Sequence, residues 1–187
     1  MIRAFQRQLA IHPFRTQVVV SASIGAAGDV LAQYITQEPK WDKLRTARFF
    51  FLTAGFIVPA QFVWLRFLER VKFGGPKFNP LIRVFLDQVA FSPVIGSLTL
   101  INLWLLEGYS LKESKEKWDQ IFGTIYKNSL FVWPSVQLIN FYLVPLNYRI
   151  FLIQTVALLW NAYMSISTQK SQNPISKIPK PLMSSNH

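Results

Sequence analysis

The stretch FVWPSVQLINFYLVP, Phe131 to Pro145, is aromatic and aliphatic over most of its length, yet it keeps Gln137 and Asn140 and carries a proline near each end. A helix between Pro134 and Pro145 would have about eleven residues, roughly 16 Å at ~1.5 Å per residue. The hydrocarbon core of a bilayer is about 30 Å thick. Such a helix cannot span by itself. It either continues a preceding helix through a kink or enters the bilayer part-way beside other helices. Pro134 suits a first helical turn, where its missing N–H is no loss, and Pro145 pushes Val144 away from helical geometry. Gln137 and Asn140 are three apart and share a face. In lipid, amides turn towards a neighbouring helix or water.

The rest of the chain supports a membrane setting. Of 187 residues, 51% are hydrophobic and only 16% charged, against about 25% charged in soluble domains. The net charge is nevertheless +11. The basic residues lie between apolar runs, which argues against a nucleic-acid partner. The absence of cysteine removes disulfides, thiolate metal sites and cysteine nucleophiles. His12 and His187 sit near the chain ends and have no chelating or nucleophilic partner in sequence, so no metal or cofactor is expected. Arg3, Arg7 and Arg15 precede the first acid, Asp29, an organelle-like start. The same arginines equally flank a first membrane helix.

About four spans and one amphipathic surface helix are expected, an all-α membrane bundle. The first runs from Thr16 to about Tyr34, where Ser21, Gly25, Gly28 and Ala32 form a small-residue face for close helix packing. The second runs from Arg48 to Leu65 with Pro59 inside it, tolerable as a kink. Phe73 to Pro80 (FGGPKFNP) reads as a loop. The third span runs from Leu81 to Leu106 and holds Asp87, Gln88 and Pro93. Ser110 and Glu113 fit a capping box that opens an amphipathic helix to Lys127, with Leu111, Trp118, Ile121, Phe122 and Ile125 on one face. That helix is expected on the membrane surface. The last span begins at about Ile150. Residues 1–170 form one membrane domain, and the Pro-, Ser- and Lys-rich segment 171–187 is expected to be a disordered tail.

Charged and amide groups inside apolar runs cost the most to bury, several kcal/mol for an aspartate near the bilayer centre. Asp29, Asp87, Gln88, Gln137 and Asn140 are therefore candidate pore-lining or interhelical polar residues. For Asp29 pairing with an arginine or a helix terminus that fixes packing is favoured over a polar path, whereas for Asp87 the two readings stand level. No HExxH, Walker, GxSxG or dinucleotide motif occurs, and the scattered carboxylates form no catalytic set, so no enzyme is expected.

The string FVWPSVQLINFYLVPLNYR, followed by WNAYMS, resembles the C-terminal signature of the Mpv-seventeen family, which also contains the twenty-two-kilodalton peroxisomal membrane protein. Its signature positions here are Trp133, Pro134, Phe141, Pro145, Arg149, Trp160 and Asn161. Pro13, Thr16, Gly28-Asp29 with Gln33, and Asp87-Gln88 with Pro93 agree with it. Val58, Phe62 and Leu65 depart from a Gly, His and Tyr common in the family, and the WLRFLER segment looks most like the Mpv-seventeen-like branch. The resemblance implies four spans in the mitochondrial inner membrane or the peroxisomal membrane. It implies a channel for small solutes, or an influence on reactive-oxygen metabolism and mitochondrial DNA maintenance. The alternative is a non-conducting adaptor whose surface helix from Ser110 to Lys127, with Trp118 and Phe122 on its face, and basic loops recruit a protease or quality-control partner. A homo-oligomer fits either expectation.

Overall fold

The computed structural model describes residues 7–8, 10–70, 75–144 and 149–170, with side chains at 75–77, 80, 140–141 and 149–151 excepted. The expected tail 171–187, Pro145, and the side chains of Asn140, Phe141 and Arg149 lie outside the described residues. Everything described is helix, turn or short connection, with no strand among these residues. Three helical runs are long and apolar enough to cross a membrane: Pro13–Ile35, Lys43–Arg70 and Leu81–Leu106.

Helix α1 (Pro13–Ile35) starts on a proline, whose absent N–H would be unpaired in a first turn anyway. It closes at Thr36, whose backbone N–H donates to the Ala32 carbonyl. Gln37 then takes φ 53°, and Asp42 caps α2 (Lys43–Leu52) by accepting from the Arg45 N–H. Helix α2 passes through a π-turn (Thr53–Ile57) into α3 (Val58–Arg70). Helix α4 (Gly75–Leu86) passes through a second π-turn (Asp87–Phe91) into α5 (Ser92–Leu106).

Each π-turn stops two residues short of a proline, at Pro59 and at Pro93. A mid-helix proline lacks the N–H for the carbonyl four residues back and clashes with it. Widening the preceding turn moves that carbonyl aside, as the Val58 and Ser92 N–H groups donate five residues back to Thr53 and Asp87. Both prolines are thus absorbed within continuous helical runs. The expected loop at Phe73 to Pro80 is corrected in the same spirit: residues 75–80 are the start of α4, and Pro76 stands in its first turn.

The 32-residue helix α6 (Leu111–Tyr142) contains both the expected surface helix and the opening stretch, with Pro134 inside it and not at its start. The helix therefore continues the preceding segment, the first of the two options open from sequence. Helix α7 (Arg149–Lys170) ends the described chain.

Neighbour order closes on itself: α1 packs on α2, α2 on α5, α5 on α6, α6 on α7, and α7 back on α1. Phe51, Val63, Phe85, Phe131 and Leu159 point outward, as lipid-facing residues do. Inside, Leu100, Trp104, Ile125 and Met164 form one cluster, and Phe49, Leu52 and Leu103 another. The amphipathic face of α6 serves the first cluster, since Trp118, Ile121 and Phe122 pack against it. Trp118, Phe122 and Tyr126, spaced by four, stack in series with ring centroids 4.7 and 5.7 Å apart.

Helices α1 and α7 approach closely because of Gly28. A Cβ there would sit 2.5 Å from Asn161 Cβ and 3.0 Å from the Leu158 carbonyl oxygen. Gly25 does the same against Thr53, at 2.7 Å from its Oγ1. The expected small-residue face is therefore used by two neighbours at once, with Ala32 buried beside them and Ser21 half-buried.

Candidate functional site

The candidate polar residues with described side chains fall into two clusters with no shared member. The first surrounds Asp29, which is 0% exposed. Arg45 Nε pairs with its Oδ1 at 2.8 Å, and Ser165 Oγ donates to the same oxygen at 2.6 Å. Gln33 Nε2 and Thr46 Oγ1 each donate to Oδ2 at 2.7 Å. The Arg45 guanidinium also donates to Ser165 Oγ at 2.6 Å. Gln33 accepts from the Asp42 backbone N–H at 2.7 Å, and Trp41 Nε1 donates to Thr46 at 3.0 Å. The carboxylate is saturated by four donors from α1, α2 and α7. A buried charge is tolerated when it is paired and fully hydrogen-bonded. This is the interhelical role expected for Asp29, with no capacity left over for a passing solute.

The second cluster surrounds Asp87, the first residue of the α4–α5 π-turn. Trp64 Nε1 donates to its Oδ1 at 2.9 Å and Gln88 Nε2 to its Oδ2 at 3.1 Å. Gln137 on α6 approaches the same carboxyl. The Trp64 ring stacks on Phe91 at 5.1 Å with an interplanar angle of 7°. Asp87 and Phe91 bracket the π-turn and both hold the indole. Tyr126 donates its hydroxyl to the Gln88 carbonyl at 3.0 Å. Asp87 and Gln137 are only half-buried, whereas Gln88 is buried and its Oε1 has no hydrogen-bond partner. An unpaired buried acceptor costs about 1–3 kcal/mol.

Arg45 and Trp64 lie nineteen residues apart on the one run Lys43–Arg70, roughly 28 Å at ~1.5 Å per residue. The two clusters therefore occupy opposite ends of the bundle. The four candidates with described side chains do not meet at one centre. Sequence reasoning singled out neither Arg45, Thr46 nor Ser165, because their partner is 16 to 136 residues away. The i,i+4 spacing of Asp29 and Gln33 was the one local signal.

Signature residues have structural uses. Trp133 meets Trp160 edge-on at 5.9 Å, joining α6 to α7. Asn161 donates to the Ala157 carbonyl at 2.8 Å and stands against Gly28. Phe62 packs edge-on with Phe14 at 5.1 Å and lies under the Arg66 guanidinium at 4.4 Å.

A third polar region lies where α2 begins and α5 and α7 end. Glu107 accepts from Gln169 Nε2 at 3.1 Å. Burial pushes its carboxyl above the usual carboxylate range, opposed first by the Arg48 charge. The buried Lys117 places Nζ 4.5 Å from the Tyr109 ring. Burial, then the charges of Glu107 and Glu113, raise the Tyr109 phenol. Glu113 is lowered by its hydrogen bonds with Ser110, which form the expected capping box. Among the described residues no group of three His, Cys, Asp or Glu could hold a metal ion.

Comparison with known proteins gives a consistent result. A family model described as Mpv17 / PMP22 matches residues 104–165. The mitochondrial inner membrane protein Mpv17 of Caenorhabditis briggsae is 47% identical over 90% of this chain and 93% of its own length. The protein of that name from Caenorhabditis elegans is 42% identical, over 91% and 94% respectively. The Homo sapiens protein is 34% identical, over 87% and 94%. No solved structure matches.

Proposed function

The chain belongs to the Mpv17 / PMP22 family, and on that premise we propose that it is a multi-pass protein of the mitochondrial inner membrane offering a weakly selective path to small hydrophilic solutes. The relatives' names support that membrane over the peroxisomal one. The observation that carries the path is the contrast between the two aspartates. Asp29 is closed by four donors. Asp87 is half-buried in a mid-helix π-turn, next to the unpaired Gln88 Oε1. Spare hydrogen-bonding capacity inside an apolar bundle suits hydrated traffic. Trp64, Asp87, Gln88 and Gln137 are the proposed polar lining. The protein acts without catalysis, and effects on reactive-oxygen metabolism or mitochondrial DNA maintenance would follow from altered solute balance.

The adaptor alternative has less to stand on. Trp118 and Phe122, the face meant for a partner, pack against Leu100, Trp104, Ile125 and Met164 of the same chain. Purified protein in planar bilayers is expected to conduct, and Asp87→Asn to change its cation-to-anion preference. A bilayer that stays silent across voltage, pH and redox conditions overturns the proposal.

A further inference from the structure

The polar region at the α2, α5 and α7 end encloses a cleft of about 150 Å³ lined by Asp42, Arg45, Arg48, Glu107, Tyr109 and Gln169. It contains both signs of charge, and the two signs are not equally engaged. Arg45 is committed to Asp29 and Ser165. Asp42 Oδ1 is committed to the α2 N-terminus. Arg48, half-buried and one turn beyond Arg45, makes no hydrogen bond or ion pair with the described residues. Glu107 faces it, held by Gln169, in surroundings that burial makes costly for its charge. A guanidinium without a hydrogen bond among the described residues thus stands across a small cleft from a half-buried carboxylate.

Depth matters as much as charge. The cleft sits where Pro13–Ile35 ends, where Lys43–Arg70 begins and where Leu81–Leu106 ends, which is the level at which apolar spans give way to headgroups. Trp41 and Leu44, beside the cleft on the loop and first turn of α2, are 57% and 62% exposed. Lys43 Nζ lies 5.6 Å from the Trp41 ring. An exposed tryptophan with a lysine at a span end is an interfacial anchor. Headgroups therefore lie at the same height as the cleft mouth.

We propose that this cleft is a binding site for a zwitterionic headgroup, a phosphate ester carrying a primary ammonium, as in phosphoethanolamine lipids. The phosphate is bound by the Arg48 guanidinium, with Tyr109 beside it. The ammonium is bound by Glu107 and Asp42, for which it supplies hydrogen-bond donors as well as charge. A simple anion would meet two carboxylates. A quaternary ammonium offers no N–H to either. Both are worse fits than the primary amine.

The test uses the full chain, delipidated in detergent, with native mass spectrometry as the readout. Phosphatidylethanolamine, phosphatidylcholine and phosphatidylglycerol of matched acyl chains are added in equal amounts. One charge-assisted hydrogen bond of about 1.5 kcal/mol corresponds to roughly tenfold in affinity. The ethanolamine lipid is therefore expected to be retained about tenfold over either competitor. Arg48→Gln and Glu107→Gln should each bring the three lipids level, while the exposed Glu116→Gln leaves the preference intact. Thermal unfolding of each variant separates a lost site from a lost fold. If either site variant unfolds early, Tyr109→Phe provides a milder perturbation that should narrow the preference. Displacement by soluble phosphoethanolamine assigns the site to the free headgroup, and retention of lipid in its presence assigns it to the lipid. Equal retention of all three lipids by the parent, or an unchanged preference in both site variants, overturns the proposal. Neither result depends on whether the protein conducts.

Discussion

Replacing Arg45 by leucine breaks a buried ion pair between α1 and α2. Arg45 is 5% exposed and Asp29 is 0% exposed. Among the described residues the guanidinium is the one cation on that carboxylate, at 2.8 Å, and it also fixes Ser165 at 2.6 Å. Arg45→Leu leaves the carboxylate with three neutral donors, Ser165, Gln33 and Thr46, in a site without access to solvent. Removing one partner of a buried pair costs about 3–5 kcal/mol, most of it from the charge left behind. Replacing both partners by apolar residues of similar volume is often close to neutral. The Asp29→Leu/Arg45→Leu protein should therefore be more stable than Arg45→Leu alone, a non-additivity that a double-mutant cycle reads directly. Arg45→Lys should fall between parent and Arg45→Leu, because an ammonium keeps the charge but lacks the fork that reaches Asp29 and Ser165 together. The assay is unfolding in mixed micelles with added dodecyl sulfate, followed by tryptophan fluorescence. Trp41 donates to Thr46 within the same network and acts as a local reporter. A loss below about 1 kcal/mol for Arg45→Leu, the range of an exposed pair, would refute the reasoning. So would a double variant no more stable than the single one.

Gly28→Ala should cost about 1–3 kcal/mol by overpacking against Asn161 and the α7 backbone, whereas Gly123→Ala, exposed within α6 with nothing within 4 Å, should stabilise the same unfolding transition by about 1 kcal/mol. Trp64→Phe keeps the stacking on Phe91 but removes the donor to Asp87. It should lower stability by about 1.5–3 kcal/mol, the range for a hydrogen bond to a charged group, and should alter ion preference in the bilayer assay in the direction of Asp87→Asn. The Glu113 carboxyl is lowered by Ser110, so its contribution to the start of α6 is complete above its ordinary value of 4.5 and is lost as pH falls through the depressed folded value. Hydrogen exchange at residues 111–114, corrected for intrinsic rates, should speed up on acidification through that window, and Ser110→Ala should flatten the dependence. Glu107 has the opposite sign: its raised carboxyl favours the folded state most when protonated. Its contribution is complete at low pH and declines as pH rises through the ordinary carboxylate range towards the raised value. Glu107→Gln should remove that slope from the melting-temperature profile.

Composition and local pattern were enough to specify an all-α membrane chain. Apolar runs of about twenty residues can satisfy their backbone in lipid only as helices, so Pro13–Ile35 and Leu81–Leu106 were legible with few errors at their ends. The Ser110–Glu113 capping box was legible because both its bonds are local. The first-turn placement of Pro134 failed, and the way Pro59 and Pro93 are accommodated was not legible, because both depend on longer context. Pro134 sits inside α6 because the helix was already propagating before it, and Pro59 and Pro93 are absorbed by π-turns that no residue spacing announced. The sequence by itself also marked Asp29 and Asp87 as costly to bury, since that cost belongs to the residue type. Only the tertiary structure decided their separate fates. Asp29 meets Arg45 and Ser165 because Gly28 lets α7 close on α1, while Asp87 faces Trp64 across a widened turn at the other end of the bundle. Burial is a local property of a side chain in an apolar run, but satisfaction depends on what other helices bring to it.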